Sequence, residues 1–129
     1  MAESKVKDKS KAFAINIVKI YKTLLERHEF VMSKQLLRSG TSIGANVCEA
    51  LCGISSKDFL AKMYISYKES VETIYWLDIL YATNYINLEE YTNLADECHE
   101  LRKMLSSITK TTSESLKRNP NSQLPTPNS

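Results

Sequence analysis

Six polar residues interrupt two otherwise apolar helical faces in the middle of the chain. Arg38, Ser42, Asn46 and Glu49 lie in one segment, Glu69 and Glu72 in the next. Glu69 and Glu72 stand three apart and share a face, as do Asn46 and Glu49. Paired carboxylates at such spacing could act as general acid and base or ligate a metal. The competing reading is structural: Asn46 and Glu72 hydrogen-bond across helices or to helix ends and set register at some cost in stability. Arg38, one turn before Ser42, would then neutralise a carboxylate.

The residue inventory favours the structural reading. A di-metal carboxylate bundle wants Glu-x-x-His on two helices plus further glutamates. This chain has two histidines, and only Asp96-x-x-His99 approaches the pattern. His28 falls at a helix end, where an imidazolium suits the dipole. Ser39-Gly40-Thr41-Ser42 lacks both the spacing and the lysine of a phosphate-binding loop. No Ser/His/Asp or Cys/His grouping supports nucleophilic catalysis. The expectation is a protein that is not an enzyme, with no catalytic, cofactor or metal site.

The three cysteines, Cys48, Cys52 and Cys98, form no zinc-ribbon spacing, and their odd count argues for reduced, packed thiols. Tyr64, Tyr67, Tyr75, Trp76 and Tyr81 lie near Lys62 and Lys68. Aromatics interleaved with lysines can stack bases and hold phosphates. At helical spacing they serve more often as core or interface anchors. Tyr64, Tyr67, Tyr75 and Trp76 are therefore the candidate oligomer interface.

Period-3.5 apolar spacing over almost the whole chain supplies the elements that must position these groups. Phe13, Ile17, Ile20 and Leu24 make one stripe, with Ala14, Val18, Tyr21 and Leu25 beside it, predicting a helix over about 9–28. Ser33, Leu36, Gly40, Ile43, Val47 and Ala50 predict a second over about 33–52. Gly40 and Gly44 each cost roughly 1 kcal/mol in a helix interior, so a neighbouring backbone should pass close to them. Gly53 should end this helix as a left-handed cap.

Ser55-x-x-Asp58 resembles a capping box with aspartate in place of glutamate. It opens a third helix over about 56–84, with Leu60, Tyr64, Tyr67, Val71, Ile74 and Tyr81 as its apparent inner stripe. Asn87-x-x-Glu90, flanked by Ile86 and Tyr91, opens a fourth over about 88–116. Its heptad runs Tyr91, Leu94, Cys98, Leu101, Leu105, Ile108, Thr112. Residues 1–8 should be a flexible basic arm and 119–129 a disordered, proline-bearing tail. With 129 residues, one domain suffices. Short loops force neighbours antiparallel, so the fold class is all-α, an up-down-up-down antiparallel four-helix bundle. Helices one and three carry more apolar surface than a monomer's core needs, which predicts a homo-oligomer.

Charge is segregated. Residues 1–40 hold nine Lys/Arg and four Asp/Glu, residues 41–101 hold three and ten, and residues 102–129 hold five and one. The bundle topology gathers Lys5, Lys7, Lys9, Lys11, Lys57, Lys62, Lys110, Lys117 and Arg118 at one end, the candidate nucleic-acid surface. Asp78, Glu89, Glu90, Asp96 and Glu97 gather at the other. An acidic protein docking on the basic end is the alternative partner. No apolar run approaches the ~18 residues of a membrane span and no signal core opens the chain. The cytoplasm is the expected location.

With the helices placed, Ser42-Ile43-Gly44-Ala45-Asn46-Val47-Cys48-Glu49-Ala50, Ser56-Lys57-Asp58-Phe59 and Lys68-Glu69-Ser70-Val71-Glu72-Thr73-Ile74-Tyr75-Trp76-Leu77 resemble a small bacterial family. It is the four-helix-bundle family encoded in intervening sequences of large-subunit ribosomal RNA genes. Its relatives include the accessory variability protein of diversity-generating retroelements, which partners a reverse transcriptase and nucleic acid. The resemblance covers roughly residues 8–117. It implies a ring-like homopentamer with no established enzymatic activity, and a nucleic-acid or reverse-transcriptase-type partner. The family often has glycine where this chain has Ala50, with Gly53 three residues later.

Overall fold

The computed structural model describes residues 2–120, so the expected tail lies outside the described residues except for Asn119 and Pro120. Four helices follow one another: α1 (Ala2–Glu26), α2 (Met32–Leu51), α3 (Ser56–Ala82) and α4 (Leu88–Arg118), with no strand among the described residues. α1 packs on α2 and α4, and α3 packs on α2 and α4, with the remaining pairs diagonal across one shared core. This is the all-α antiparallel bundle expected from the period and the short loops. α3 and α4 run about 40 and 46 Å at 1.5 Å per residue.

The expected stripes of α1, α2 and α4 are the buried ones. Phe13, Ile17 and Leu24 are fully buried, as are Leu36, Ile43, Val47, Cys98 and Leu105. α1 begins earlier than its first apolar stripe suggests. Val6 and Ser10 continue the inward face by two further turns, so residues 2–8 belong to the helix and not to a free arm. The flanking lysines conceal this extension in the sequence.

The glycines of α2 open toward α1. A Cβ on Gly40 would stand 2.8 Å from Ile17 Cγ1, and one on Gly44 would stand 3.3 Å from the Ser10 carbonyl oxygen. α3 approaches α2 through other small groups. Ser66 Oγ donates to the Ile43 carbonyl at 2.7 Å, and Thr73 Oγ1 meets Ser39 Oγ at 2.9 Å. Among the described residues, no buried side-chain nitrogen or oxygen lacks a partner, which removes the main cost of these polar insertions.

Helix ends correct two expectations. Gly53 is not left-handed; the positive φ angles belong to His28 (61°) and Asn84 (69°). A Cβ at Gly53 would meet the Ala50 carbonyl oxygen at 3.1 Å, so close approach explains the residue. Asn87 and Glu90 form a complete capping box, whereas Ser55 accepts from the Asp58 N–H as a simple cap. α2 has no side-chain cap at Val31. Glu29, only 5% exposed, takes the role: its carboxylate accepts from the N–H groups of Val31, Met32 and Ser33 at 3.3, 3.0 and 2.5 Å.

Burial pushes the Glu29 carboxyl up, but those three backbone N–H groups outweigh it and hold the group below its ordinary value. A carboxyl lowered on folding stabilises the fold above its unfolded value near ~4.3, and that contribution is lost as pH falls through the lower folded value. Glu29→Gln should therefore lower stability at pH 7 by about 1–2 kcal/mol and flatten its decline below pH 5, read by urea titrations at several pH values. Gly40→Ala should destabilise by about 1–3 kcal/mol through the β-branched Ile17. Adding Ile17→Val should recover part of that loss in a double-mutant cycle.

Candidate functional site

Three of the six interrupting polar residues meet. Arg38 reaches from α2 to α3, its Nη1 3.1 Å from Glu69 Oε2 and its Nη2 bonded to Glu72 Oε2. Trp76 Nε1 donates to the same Glu72 oxygen at 2.9 Å. One guanidinium thus bridges both carboxylates, and the indole fixes one of them. Both carboxylates are thereby held in charge-assisted bonds across the seam. The arrangement is a surface clamp across the α2–α3 seam.

The other three point elsewhere. Ser42 Oγ donates to the Arg38 carbonyl and Asn46 Nδ2 to the Ser42 carbonyl, so both are satisfied within α2 and neither crosses to α3. Of the two bonds expected across helices, that of Glu72 is present and that of Asn46 is not. Hydroxyls and amides four residues after a helical carbonyl can share it as an acceptor, which gives them a local bond. Glu49 pairs with Lys62 at 3.0 Å, one turn nearer the α2–α3 turn. Sequence reasoning missed Ser39, Ser66 and Thr73, the buried hydroxyls that do cross. Their spacing on the inward faces was the available signal.

Among the described residues no group of three or more His, Cys, Asp or Glu side chains is arranged to hold a metal ion. The thiols divide. Cys98 is buried, its Sγ 3.3 Å from the Ser70 carbonyl oxygen, and burial pushes its pKa up to about 12, out of nucleophilic range. Cys48 and Cys52 are exposed on α2 rather than packed. An open groove of about 510 Å³ follows the α1–α4 seam past Asn16, Lys19, Glu90 and Glu97. Asn16 Nδ2 stands 3.1 Å from both Glu97 oxygens across it. Both sides of the groove are already bonded to each other.

The pairings Lys9–Glu100, Glu49–Lys62 and Cys98–Ser70 fix the antiparallel registers. They bring the start of α1, the α2–α3 turn and the end of α4 to one end of the bundle. Of the nine cations expected there, Lys9 is 2.5 Å from Glu100 and Lys62 is tied to Glu49. Lys9, beside Glu100, holds that carboxyl below its ordinary value. Lys5, Lys7, Lys11, Lys57, Lys110, Lys117 and Arg118 are exposed and take no ion pair among the described residues. At the far end Arg27 donates to Glu90 at 2.8 and 2.9 Å and to the Tyr85 carbonyl, tying the two loops together. That pairing is the main reason the Glu90 carboxyl lies below its ordinary value.

The four candidate interface aromatics lie on α3 outside the core. Tyr64 is 53% and Tyr75 58% exposed, while Tyr67 and Trp76 are partly covered. The inner face of α3 is instead Phe59, Met63, Ser66, Ser70, Thr73, Leu77 and Leu80. The apparent inner stripe of the sequence is therefore not the buried one: Tyr64, Val71 and Tyr81 are exposed, and Leu60, Tyr67 and Ile74 are half-buried at the edge of the core. Small polar side chains on the true inner face made the outer face read as the more hydrophobic one.

Removing the clamp should cost little, because the guanidinium is about half exposed, with side-chain exposure of 48%. Arg38→Ala should lower the unfolding free energy by no more than about 1 kcal/mol, and less in high salt. A urea titration with and without 0.5 M salt reads this, and a several-fold larger loss would mean the clamp does more than pin a seam.

No curated protein matches the chain. A solved structure of a protein with unknown function from the S23 ribosomal protein family of Bacteroides thetaiotaomicron is 51% identical, with a TM-score of 0.84. The match covers 85% of this chain and 99% of that one. The profile of the 23S rRNA-intervening sequence proteins matches residues 2–107. The four helices, the motifs on α2 and α3 and these matches agree: the chain belongs to the 23S rRNA-intervening sequence protein family.

Proposed function

We propose that this chain is a non-enzymatic, oligomeric scaffold that holds nucleic acid, RNA foremost, at the lysine-rich end of its bundle. The observation that carries the reading is the set Lys5, Lys7, Lys11, Lys57, Lys110, Lys117 and Arg118. These are seven exposed cations, drawn from three helices, with no ion pair among the described residues. A cation left without a carboxylate can replace a counterion on a phosphate backbone, and releasing that counterion drives association.

Oligomerisation supports the same reading. Copies arranged around a ring with their lysine-rich ends together multiply a weak phosphate affinity into a useful one. A homopentamer is the state proposed, from the family resemblance. A reverse-transcriptase-type protein is the partner the retroelement relative suggests. Glu69, Glu72, Glu100, Glu49, Glu90 and Glu29 are tied into Arg38, Lys9, Lys62, Arg27 or a helix cap, which supports a binding role over proton-transfer chemistry.

Filter binding with structured RNA and duplex DNA across a salt series tests this. The expected result is affinity that falls steeply with salt. Changing Lys57, Lys110 and Lys117 together to Ala should weaken binding at least tenfold and reduce the log–log salt slope by about two to three. Affinity no tighter than millimolar at low salt, or insensitivity to salt, would remove nucleic acid from the reading. Pull-downs that keep an acidic protein after nuclease treatment would replace it with protein docking.

A further inference from the structure

Two thiols on α2 take no part in the core or in the set of free lysines. Cys48 and Cys52 are both exposed, whereas Cys98 is buried. Free cysteine ordinarily behaves as a small buried hydrophobe, so a pair of them in water is unusual. They stand four apart in sequence. Residues so spaced on a helix are neighbours one turn apart, with Cβ atoms about 5–6 Å from each other. The pair is therefore a two-armed sulfur ligand on the outer flank of the helix.

One arm is fixed and the other can adjust. Cys48 has helix on both sides, but Cys52 is the residue that closes α2. Its N–H donates to the Glu49 carbonyl, and the Gly53 N–H donates to the Ala50 carbonyl, so the chain tightens and the helix stops there. Cys52 also borders an open pocket of about 380 Å³ at the α2–α3 turn, beside Gly53, Ile54 and Lys62. An ion has room to approach this thiol, and no helical residue after Cys52 resists a small rotation toward Cys48.

The number of donors decides which ion fits. Among the described residues no third Cys, His, Asp or Glu joins the pair, and Glu49 is occupied by Lys62 at 3.0 Å. Zinc takes a tetrahedral set of ligands, and calcium or magnesium a shell of oxygens. Soft thiolates select Cu(I), and a monovalent soft ion is satisfied by two sulfurs in line. Coordination removes both thiol protons, so the complex keeps one negative charge. Gly44 faces Ser10 across the α1–α2 seam. One turn further along these antiparallel helices Cys48 comes level with Lys7. Lys7 and Lys11 are exposed and take no ion pair among the described residues, so they can offset that charge.

The geometry points to a surface site for Cu(I), held between the sulfurs of Cys48 and Cys52. Binding is ligand exchange without change of oxidation state: two S–H bonds give their protons to water and two S–Cu bonds form. The bound ion clips the last turn of α2 to the turn before it. The site uses neither the nucleic-acid reading nor the oligomeric one.

Anaerobic titration of the reduced full chain with Cu(I), against a chromophoric Cu(I) chelator, tests the site. The chain should withdraw one ion per copy, and log affinity should rise with pH at a slope approaching about two while both thiols are protonated. Cys48→Ser and Cys52→Ser should each lower affinity at least about a hundredfold, because the second sulfur no longer binds as part of the same molecule. Both sites are exposed, and urea titration of each ion-free variant should match wild type. Combining Glu49→Cys with Cys52→Ser keeps two exposed thiols but sets them on adjacent residues, which point apart. That variant should bind as weakly as the single ones. Full affinity there, or in either serine variant, would show that thiol count and not the one-turn pair holds the ion. One ion per two chains would assign it to a bridge between copies. Failure of the wild type to compete with the chelator would remove the site outright.

Discussion

The close approach of α2 to both its neighbours is the constraint on which the rest of the structure depends. Toward α1 it is bought with Gly40 and Gly44, set against Ile17 and Ser10. Toward α3 it uses Ser39 and the Ile43 carbonyl, set against Thr73 and Ser66. A helix facing such a neighbour must itself present small groups, so α3 turns Ser66, Ser70 and Thr73 inward. Phe59, Met63, Leu77 and Leu80 still fill the core, while other large apolar residues, Tyr64, Val71 and Tyr75 among them, are left for the outside. That exposed surface is thus a consequence of tight internal packing and not a defect in it. Each inward hydroxyl also finds an acceptor, which keeps the polar core from costing desolvation energy.

Much of this was legible in the sequence. Phe13, Ile17, Ile20 and Leu24, and the heptad from Tyr91 to Ile108, announce their buried faces because bulk and burial coincide there. The face of α3 was not legible for the opposite reason. Hydrophobicity is spread around that helix, and a period read from bulk alone selects the stripe that is richest, which here is the outer one. Glu29 escaped notice because it caps α2 through backbone N–H groups from four residues upstream of Ser33, a place where a carboxylate reads as an ordinary surface charge. Gly53 read as a left-handed cap because composition shows that a glycine is required and not whether the reason is a dihedral angle or a close contact.

The candidate site was legible in part. Topology alone brings the lysines to one end, and no side-chain detail is needed for that. Which of them are already engaged depends on registers that sequence does not encode locally: Lys9 meets Glu100 and Lys62 meets Glu49 only when the helices are set against one another. Asn46 failed as a cross-helix partner because the Ser42 carbonyl one turn back lies within its reach. Arg38 succeeded because its length spans the seam, and its planar fork can hold two carboxylates at once.

Separating the core from the outer stripes also separates folding from assembly. The monomer's inner faces are complete without Tyr64, Val71 or Val18, so the bundle does not need a partner to bury its core. Within the monomer the seams are unequal. α1 meets α4 more thinly than α2, largely through polar contacts: Asn16 with Glu97, Lys9 with Glu100 and Arg27 with Glu90. Solvent-exposed pairs of this kind contribute little and are weakened by salt. The α1–α4 edge is therefore the first to open, while the glycine-mediated contact holds α1 to α2.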